Sequence, residues 1–196
     1  MERRAEIERR TAETEIELSV ALGEDPPDAA IATGVGFFDH MLELLSRHGR
    51  LGLSVRAGGD LATGPHHTVE DVGIALGSAL DRALGDRAGV RRYASLALPM
   101  DEALCEVALD LSGRAFLRFD AAMPAPSVAD FDTDLVEEFL RALASNARLT
   151  LHVRVAYGTN AHHVCEAIFK AVARALREAA TLDPGESGVP STKGSL

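Results

Sequence analysis

Two copies of a His-His-x-x-Glu pattern carry the clearest chemistry in this 196-residue chain. The first reads HHTVE over residues 66–70, and the second reads HHVCE over residues 162–166. On a helix, a His and a Glu four residues apart lie on the same face, within reach of one cation. The adjacent histidine points about 100° away around the helix, so each histidine of a pair is expected to bind a different metal. We therefore predict two metal sites, built from both copies or from neighbouring subunits.

Two further residues could add one donor to each of these metal sites. His40, in FFDHML, and Glu138 become equivalent when the chain is compared with itself at a shift of 98 residues. Imidazole and carboxylate donors without thiolate suit divalent Mn, Fe, Co or Zn, and ligand type alone does not choose among them. The two cysteines, Cys105 and Cys165, have no motif-like spacing, so neither a cysteine zinc site nor a disulfide framework is expected.

A second candidate chemistry is phosphate binding by basic residues. The cationic candidates are Arg92, Arg114 and Lys193. An isolated arginine in an acidic protein is usually a solvated surface charge. The sequence PSTKG at residues 190–194 is more specific, because it places a hydroxyl and an ammonium group between Pro and Gly, as a phosphate clamp requires.

Strands and helices alternate along the chain and must position these residues. Apolar residues at every second position predict strands over 16–22, 51–55, 107–111 and 149–155. Helical spacing predicts helices over 69–80 and 164–176, each opened by a histidine pair, and shorter helices over 37–45 and 135–143. Gly85 marks the end of the first of these helices. The mixture in both halves predicts an α+β or α/β fold.

The chain also looks like a duplicated unit. A shift of 98 residues aligns Arg50 and Leu51 with Arg148 and Leu149, and a shift of 96 aligns the two histidine pairs. An earlier shift of 89 aligns Glu13 with Glu102, and the loop AGGDLATG accounts for two extra residues in the first half. We predict one domain of two pseudo-repeats, at about 1–90 and 91–184, with an insert at 124–134 and a flexible tail at about 185–196.

Composition excludes several classes of protein. Hydrophobic residues make up 46% of the chain, which is enough for a core without disulfide staples. The formal net charge of −10 argues against a nucleic-acid binder, which needs a basic face. No apolar run approaches the roughly 18 residues of a membrane span, and the charged N-terminus lacks a secretory h-region. The expectation is a soluble, cytoplasmic protein.

Taken together, seven segments are similar to the imidazoleglycerol-phosphate dehydratase family, and the resemblance extends from about residue 3 to 194. The segments are TAETEIELSV (11–20), GVGFFDHMLELLSRHG (34–49), GPHHTVEDVGIALG (64–77), PMDEAL (99–104), DLSGRAF (110–116), NAHHVCEAIFKAVARAL (160–176) and PSTKG (190–194). The resemblance implies an internally duplicated α+β domain with mixed sheets and paired helices, of the left-handed βαβ, ribosomal protein S5 domain 2-like type.

The resemblance also implies the metal, the ligands and the assembly. Mn²⁺ is the family's usual metal, with two ions per active site and Zn, Fe or Co as substitutes. The family forms a homo-oligomer of about 24 subunits, with the metals at subunit interfaces. By position, the family's metal ligands fall on His40, His66, His67, Glu70, Glu138, His162, His163 and Glu166. Glu138 departs from the family pattern, in which this position is often His.

The activity implied is that of a lyase in L-histidine biosynthesis. It dehydrates D-erythro-imidazole glycerol phosphate to imidazole acetol phosphate, and the two metals stabilise an imidazolate form of the substrate ring. The substrate contacts implied by position are Glu13, Arg92, Arg114, Lys170, Ser191 and Lys193. Glu13 is predicted to transfer the carbon-bound proton, because it is a carboxylate and not a metal ligand, and His48 is the next candidate.

Two other classes of function are compatible with paired His and Glu residues. A metal-storage protein could use these sites only to hold an assembly together, but that reading leaves Glu13, Arg114 and the PSTKG segment without a role. Diiron four-helix proteins carry a Glu-x-x-His order that is absent here. A two-metal hydrolase is the second alternative, and it would cleave phosphoesters with water instead of dehydrating its substrate.

Overall fold

The computed structural model describes residues 3–24 and 30–196 of the chain. Its elements in these two segments, in chain order, are β1 (Arg4–Arg10), β2 (Thr14–Leu22), β3 (Ile31–Ala32), α1 (Gly36–Gly49), β4 (Leu51–Gly59), α2 (His66–Leu84), β5 (Tyr93–Met100), β6 (Ala103–Asp110), β7 (Phe116–Asp120), β8 (Ser127–Val128), β9 (Phe131–Asp132), α3 (Leu135–Asn146), β10 (Thr150–Tyr157) and α4 (Ala161–Ala180). A single 3-10 turn, Leu61–Thr63, lies between β4 and α2. The α+β class predicted from the sequence is confirmed.

The two four-stranded sheets have the same topology. The first has the order β1-β2-β4-β3 and the second the order β5-β6-β10-β7. In each sheet the first three strands pair antiparallel, and the last strand pairs parallel with its neighbour. The small hairpin of β8 and β9 lies in the segment where the sequence predicted an insert. Each half therefore contributes one sheet of the same design and two helices.

Helix pairs that join the two halves hold the domain together. Helix α2 packs on β1 and β2 of its own sheet and against α3 of the other half. Helix α4 packs on β5 and β6 and against α1 of the other half. Between the two helix pairs, the rings of Phe139 on α3 and Phe169 on α4 stack with centroids 5.3 Å apart, and both side chains are fully buried. Residues from the first half are thus brought beside motifs of the second half.

The contact between α2 and α3 is unusually close at two glycines. A Cβ atom added to Gly73 would lie 2.8 Å from the Phe139 carbonyl oxygen, and one added to Gly77 would lie 2.7 Å from the Leu143 carbonyl oxygen. No ordinary side chain fits at such distances. The absence of a side chain at these two positions lets the helix backbones meet.

The helix starts place the histidine pairs at the edge of the core. In α4 the Asn160 side chain accepts hydrogen bonds from the backbone amides of His162 and His163, at 2.9 and 3.4 Å. This is a helix N-cap, and it fixes the first turn of the helix. Helix α2 starts directly at His66, after Pro65, without a side-chain cap. Both histidine pairs therefore lie in a first helical turn.

The sequence pattern located the four helices and the strands β2, β4, β6 and β10, and these are confirmed. It did not locate β1, β5 and β7, nor the two-residue strands β3, β8 and β9. Strand β1 buries only Ile7 and lies at a sheet edge, so its sequence carries little apolar signal. Strand β7, FLRFD, has no fully buried residue. No helix in the described segments combines the length and the apolar composition that crossing a bilayer requires.

The C-terminal segment after α4 contains neither helix nor strand but makes specific hydrogen bonds. The amide of Gly89 donates to the carbonyl of Gly188 at 2.8 Å. The Arg92 guanidinium donates to the carbonyl of Pro190 at 2.6 Å. These bonds attach the segment to the start of the second half, and its flexibility stays a prediction.

Candidate metal and substrate site

Three predicted metal ligands converge where α1 meets α4. The Nε2 atoms of His40 and His162 lie 2.9 and 3.2 Å from the same oxygen, Oε1 of Glu166. The donor atoms of the three side chains all lie within 4.8 Å of one another. We call this group the closed cluster. Because His40 comes from the first half and the other two residues from the second, the cluster exists only because α1 packs against α4.

Glu166 is the electrostatic centre of the closed cluster. Its side chain is only 9% exposed, and its second oxygen accepts a 2.6 Å hydrogen bond from the Lys170 ammonium group one helical turn away. Burial raises the pKa of this carboxyl, but the hydrogen bonds from Lys170, His40 and His162 outweigh burial and lower the pKa to about 2. Glu166 is therefore a carboxylate at neutral pH, as a metal ligand must be.

The corresponding residues of the first half are further apart. His66 Nε2 lies 3.9 Å from Glu70 Oε2, and both side chains are about half exposed. Glu138 lies on α3, the helix that packs against α2. Within the described residues, no hydrogen bond or ion pair joins its carboxylate to His66 or Glu70. We call these three residues the open cluster, and the role of Glu138 as a ligand stays a prediction.

The two rings of each histidine pair are nearly perpendicular to each other. The rings of His66 and His67 are nearly perpendicular, at 89°, and those of His162 and His163 meet at 82°. His163 Nδ1 lies 2.7 Å from Glu102 Oε2. The two rings of each pair therefore lie in different planes, and the group formed by His40, His162 and Glu166 does not include His163.

His67 has two carboxylate neighbours. Its Nδ1 atom lies 3.1 Å from both carboxylate oxygens of Asp60 and 3.7 Å from Glu13 Oε2. The hydrogen bond to Asp60 raises the pKa of His67, and the hydrogen bond to Glu102 raises the pKa of His163. The Glu102 carboxyl has its own pKa lowered to about 2 by the same hydrogen bond and by the backbone amide of Asn160.

Sequence reasoning did not assign a role to Asp60 or Glu102. Glu102 appeared only as the repeat partner of Glu13, and Asp60 only as part of the longer loop AGGDLATG. Both signals were present in the comparison of the two halves. What was missing was the knowledge that the loop after β4, which contains Asp60, and the turn between β5 and β6, which contains Glu102, lie beside the helix starts.

A basic pocket gathers four of the residues predicted to bind substrate. Arg92, Arg114, Ser191 and Lys193 line one open cavity of about 890 Å³. The Arg92 guanidinium is fixed by Asp110 through contacts of 2.7 and 3.2 Å. The C-terminal segment and the start of the second half thus form a single surface of the kind that binds a phosphate group.

The other predicted residues lie elsewhere. Lys170 does not line the basic pocket, because its ammonium group contacts Glu166 in the closed cluster. His48 lies half-buried in the last turn of α1, where burial, Lys170 and Arg174 lower its pKa. Glu13 is half exposed in the turn between β1 and β2.

Comparisons with known proteins agree on one family. A family model described as imidazoleglycerol-phosphate dehydratase matches residues 33–176. A Streptococcus thermophilus protein of that name is 57% identical over 195 residues, covering 99% of this chain and 100% of the relative. One from Azorhizobium caulinodans is also 57% identical over 195 residues, covering 99% and 98%.

Two solved structures have the same fold. Imidazoleglycerol-phosphate dehydratase from Staphylococcus aureus superposes with a TM-score of 0.84 at 42% identity, covering 92% of this chain and 99% of that one. The Pyrococcus furiosus structure, a complex with (S)-C348, gives a TM-score of 0.83 at 34% identity, covering 97% and 100%. The similarity in sequence and in structure extends over nearly the whole chain.

Proposed function

The chain belongs to the imidazoleglycerol-phosphate dehydratase family, and from that premise we propose how its own residues carry out the reaction. It is an enzyme, a lyase of histidine biosynthesis, so the storage and hydrolase alternatives are set aside. We propose that it converts D-erythro-imidazole glycerol phosphate to imidazole acetol phosphate at a site that holds two Mn²⁺ ions.

The donor set of the closed cluster fits such a metal. Two imidazole nitrogens and a carboxylate oxygen lie within 4.8 Å of one another, and no thiolate takes part. Nitrogen and oxygen donors of this kind suit Mn²⁺ and its neighbours in the first transition row. The residues proposed to hold the metals are His40, His66, His67, Glu70, Glu138, His162, His163 and Glu166. When bound, the metals supply Lewis-acid stabilisation of negative charge on the substrate's imidazole ring.

Glu13 is proposed to move the carbon-bound proton. The reaction removes a proton from a carbon that no carbonyl group acidifies, so a positioned base is required. Within the described residues, the nearest partner of the Glu13 carboxylate is His67 Nδ1, at 3.7 Å. A carboxylate that is half exposed and not tied into a short hydrogen bond remains available to a substrate. His48 is kept as the second candidate.

The basic pocket is proposed to bind the phosphate of the substrate. Arg92 and Arg114 supply guanidinium groups, Lys193 supplies an ammonium group, and Ser191 supplies a hydroxyl. Charge-assisted hydrogen bonds from such groups are the strongest that a phosphate can receive. Lys170 is proposed to contact substrate from the side of the closed cluster, because its ammonium group lies beside Glu166.

The orientation of His67 and His163 supports metal sites shared between subunits. Each ring is nearly perpendicular to that of the neighbouring histidine, and its Nδ1 contacts a carboxylate outside both clusters. A ligand that is outside its own cluster can complete a site on a second copy of the chain. We propose an assembly of about 24 subunits on this basis and by resemblance to the family. Chelation should then shrink the particle in light scattering, whereas an unchanged particle would contradict shared sites.

The convergence of His40, His162 and Glu166 is the observation that carries the proposal, and a paired measurement tests it. Metal analysis of the purified protein should find Mn²⁺ or a substitute, and the same preparation should dehydrate imidazole glycerol phosphate. Removal of the metal should abolish turnover, and added Mn²⁺ should restore it. A protein that turns over at the full rate after its metal is removed would contradict the metal-dependent mechanism.

A further inference from the structure

Four carboxylates lie within 4.0 Å of the second histidines of the two pairs: Glu13, Asp60 and Glu102 contact Nδ1, and Asp101 lies 3.9 Å from Nε2 of His163. We propose that Asp60 and Glu102 are positioning residues, which hold His67 and His163 in the orientation needed to bind metal. This arrangement leaves Glu13 free to act on the substrate. The inference rests on the proposed function, in which His67 and His163 are metal ligands.

In the second half, Glu102 is held at both ends of its carboxylate. Its Oε1 atom accepts hydrogen bonds from the backbone amides of Thr159 and Asn160, at 3.1 and 2.8 Å. Its Oε2 atom lies 2.7 Å from His163 Nδ1. The loop before α4 therefore holds Oε1 of Glu102 through two backbone hydrogen bonds, and Oε2 orients the imidazole ring of His163.

In the first half, a different residue contacts the histidine. Asp60 lies in the loop AGGDLATG, which contains the two residues that the second half lacks. Both of its carboxylate oxygens lie 3.1 Å from His67 Nδ1, and the Thr63 hydroxyl donates to one of them at 3.0 Å. The longer loop thus supplies a carboxylate for which the second half has no equivalent.

Glu13 and Glu102 occupy equivalent positions but have different surroundings. The shift of 89 residues aligns them, and each lies in the turn between the first two strands of its sheet. Glu102 is 2.7 Å from its histidine, whereas Glu13 is 3.7 Å from His67 and 53% of its side chain is exposed. In the first half, Asp60 contacts His67 more closely than Glu13 does. Glu13 therefore does not hold a histidine, whereas Glu102, at the equivalent position of the second half, does.

The chemistry of a carboxylate explains how Asp60 and Glu102 prepare the two histidines to bind metal. A carboxylate can only accept a hydrogen bond, so the hydrogen of each histidine is on Nδ1. Nε2 is then left with its lone pair, which is the form in which an imidazole nitrogen binds a metal. A carboxylate behind a ligand histidine orients the ring and increases its basicity, and its removal typically costs 10–100-fold in metal affinity or activity.

Release of Mn²⁺ from the holoenzyme under increasing chelator, followed by the electron paramagnetic resonance signal of free Mn²⁺, tests the assignment. Glu102→Gln and Asp60→Asn keep the side-chain shape but leave one acceptor oxygen in place of two. We expect both variants to release Mn²⁺ at a chelator concentration about 10–100-fold lower than the parent does. Asp60→Asn changes a residue in a surface loop, so it tests the proposal even if Glu102→Gln does not fold.

Two further variants separate positioning from loss of charge. Glu13→Gln should release Mn²⁺ as the parent does while its kcat falls. Glu178→Gln, near the end of α4, removes the same charge far from the histidines and should match the parent in both measurements. The inference is overturned if Asp60→Asn and Glu102→Gln retain Mn²⁺ like the parent, or if Glu13→Gln loses it as readily as they do. A parent protein that binds no Mn²⁺ would overturn the proposed function, and this inference with it.

Discussion

The closed and open clusters arise from the same sequence motif but differ in how tightly their donors are gathered. In the closed cluster, two histidines lie within 3.2 Å of a carboxylate that is 9% exposed. In the open cluster, the nearest pair is 3.9 Å apart and Glu70 is 46% exposed. A duplicated motif therefore does not by itself produce two equivalent sites, because the residues around the motif decide how far the donors converge.

The residues around the two glutamates account for part of the difference. Lys170, one turn after Glu166, donates to its carboxylate, and the shift of 96 places Ile74 at the equivalent position of the first half. Asp71, directly after Glu70, is bound to Arg9 and Thr14 of the first sheet. In the second half the additional charge of Lys170 holds Glu166, whereas in the first half the additional charge of Asp71 attaches α2 to the sheet.

The largest expected effect comes from removing one ligand from each cluster. If both clusters bind metal, His162→Ala and His66→Ala should each lose metal, and kcat should fall by roughly 10³-fold or more. The reason is that the metals contribute several kcal/mol of charge stabilisation to the transition state. Metal content and steady-state rates measured on the same preparations check this.

His152→Ala is a matched control for these two variants, because His152 lies on β10 and belongs to neither cluster. It should keep metal and activity. If His66→Ala retained full metal content while His162→Ala lost it, the open cluster would not be a metal site. The closed cluster would then bind metal, and the open cluster would be a copy of the motif that does not.

Glu13→Gln should have the next largest effect and a different character. The substitution keeps the side-chain shape and removes the proton acceptor, so kcat should fall by about 10²-fold or more. Assembly and metal content should stay normal, because Glu13 is outside both clusters. A near-normal kcat would transfer the role of base to another residue, with His48 the next to be substituted.

Lys193→Ala tests whether the C-terminal segment contributes to binding of the phosphate. Loss of a charge-assisted contact costs about 1.5–3 kcal/mol, or roughly ten- to a hundredfold in kcat/KM. Inorganic phosphate should inhibit the variant less than the parent, and the thermal unfolding temperature should hardly change. Unchanged kcat/KM together with unchanged phosphate inhibition would mean that the segment is an ordinary chain end with no role in binding.

Much of the fold was predictable because its signals are local. The period of apolar residues located four helices and the four central strands, and the repeat shifts related the two histidine pairs. Edge strands such as β1 were not located from the sequence, because a strand that buries one side chain has almost no hydrophobic pattern. The proximity of His162 to Glu166 and of His66 to Glu70 was predictable for the same reason, since a His and a Glu one helical turn apart must share a face.

What the sequence did not reveal depends on contacts between distant segments. Nothing local to His40 shows that it meets Glu166, 126 residues later, because that contact follows from the packing of α1 on α4. Nothing near His67 distinguishes Asp60 from Glu13 as its partner, because the loop conformation decides between them. The asymmetry between the halves is therefore a property of packing that a repeat alignment cannot contain.

The smallest expected effect concerns the two helix pairs beneath the clusters. Gly77 on α2 and Ala173 on α4 are equivalent at the shift of 96 residues, but only Ala173 carries a Cβ atom. A Cβ on Gly77 would lie 2.7 Å from the Leu143 carbonyl oxygen and 2.8 Å from Asn146 Cβ. Gly77→Ala should therefore destabilise the protein by about 1–3 kcal/mol through overpacking, offset by up to about 1 kcal/mol of helix propensity.

Thermal unfolding at fixed protein concentration measures the difference between the overpacking cost and the gain in helix propensity. The unfolding temperature should fall by roughly 2–4 °C for each kcal/mol of stability lost. The matched control is Ala173→Gly, which removes a buried methyl group and should also destabilise, since α4 has room for that atom. Adding a methyl group at position 77 and removing one at position 173 would then both lower the unfolding temperature. This is expected if α2 and α3 pack more closely than α1 and α4 do. A higher unfolding temperature for Gly77→Ala would mean that helix propensity outweighs the clash, and that α2 and α3 can separate at little cost.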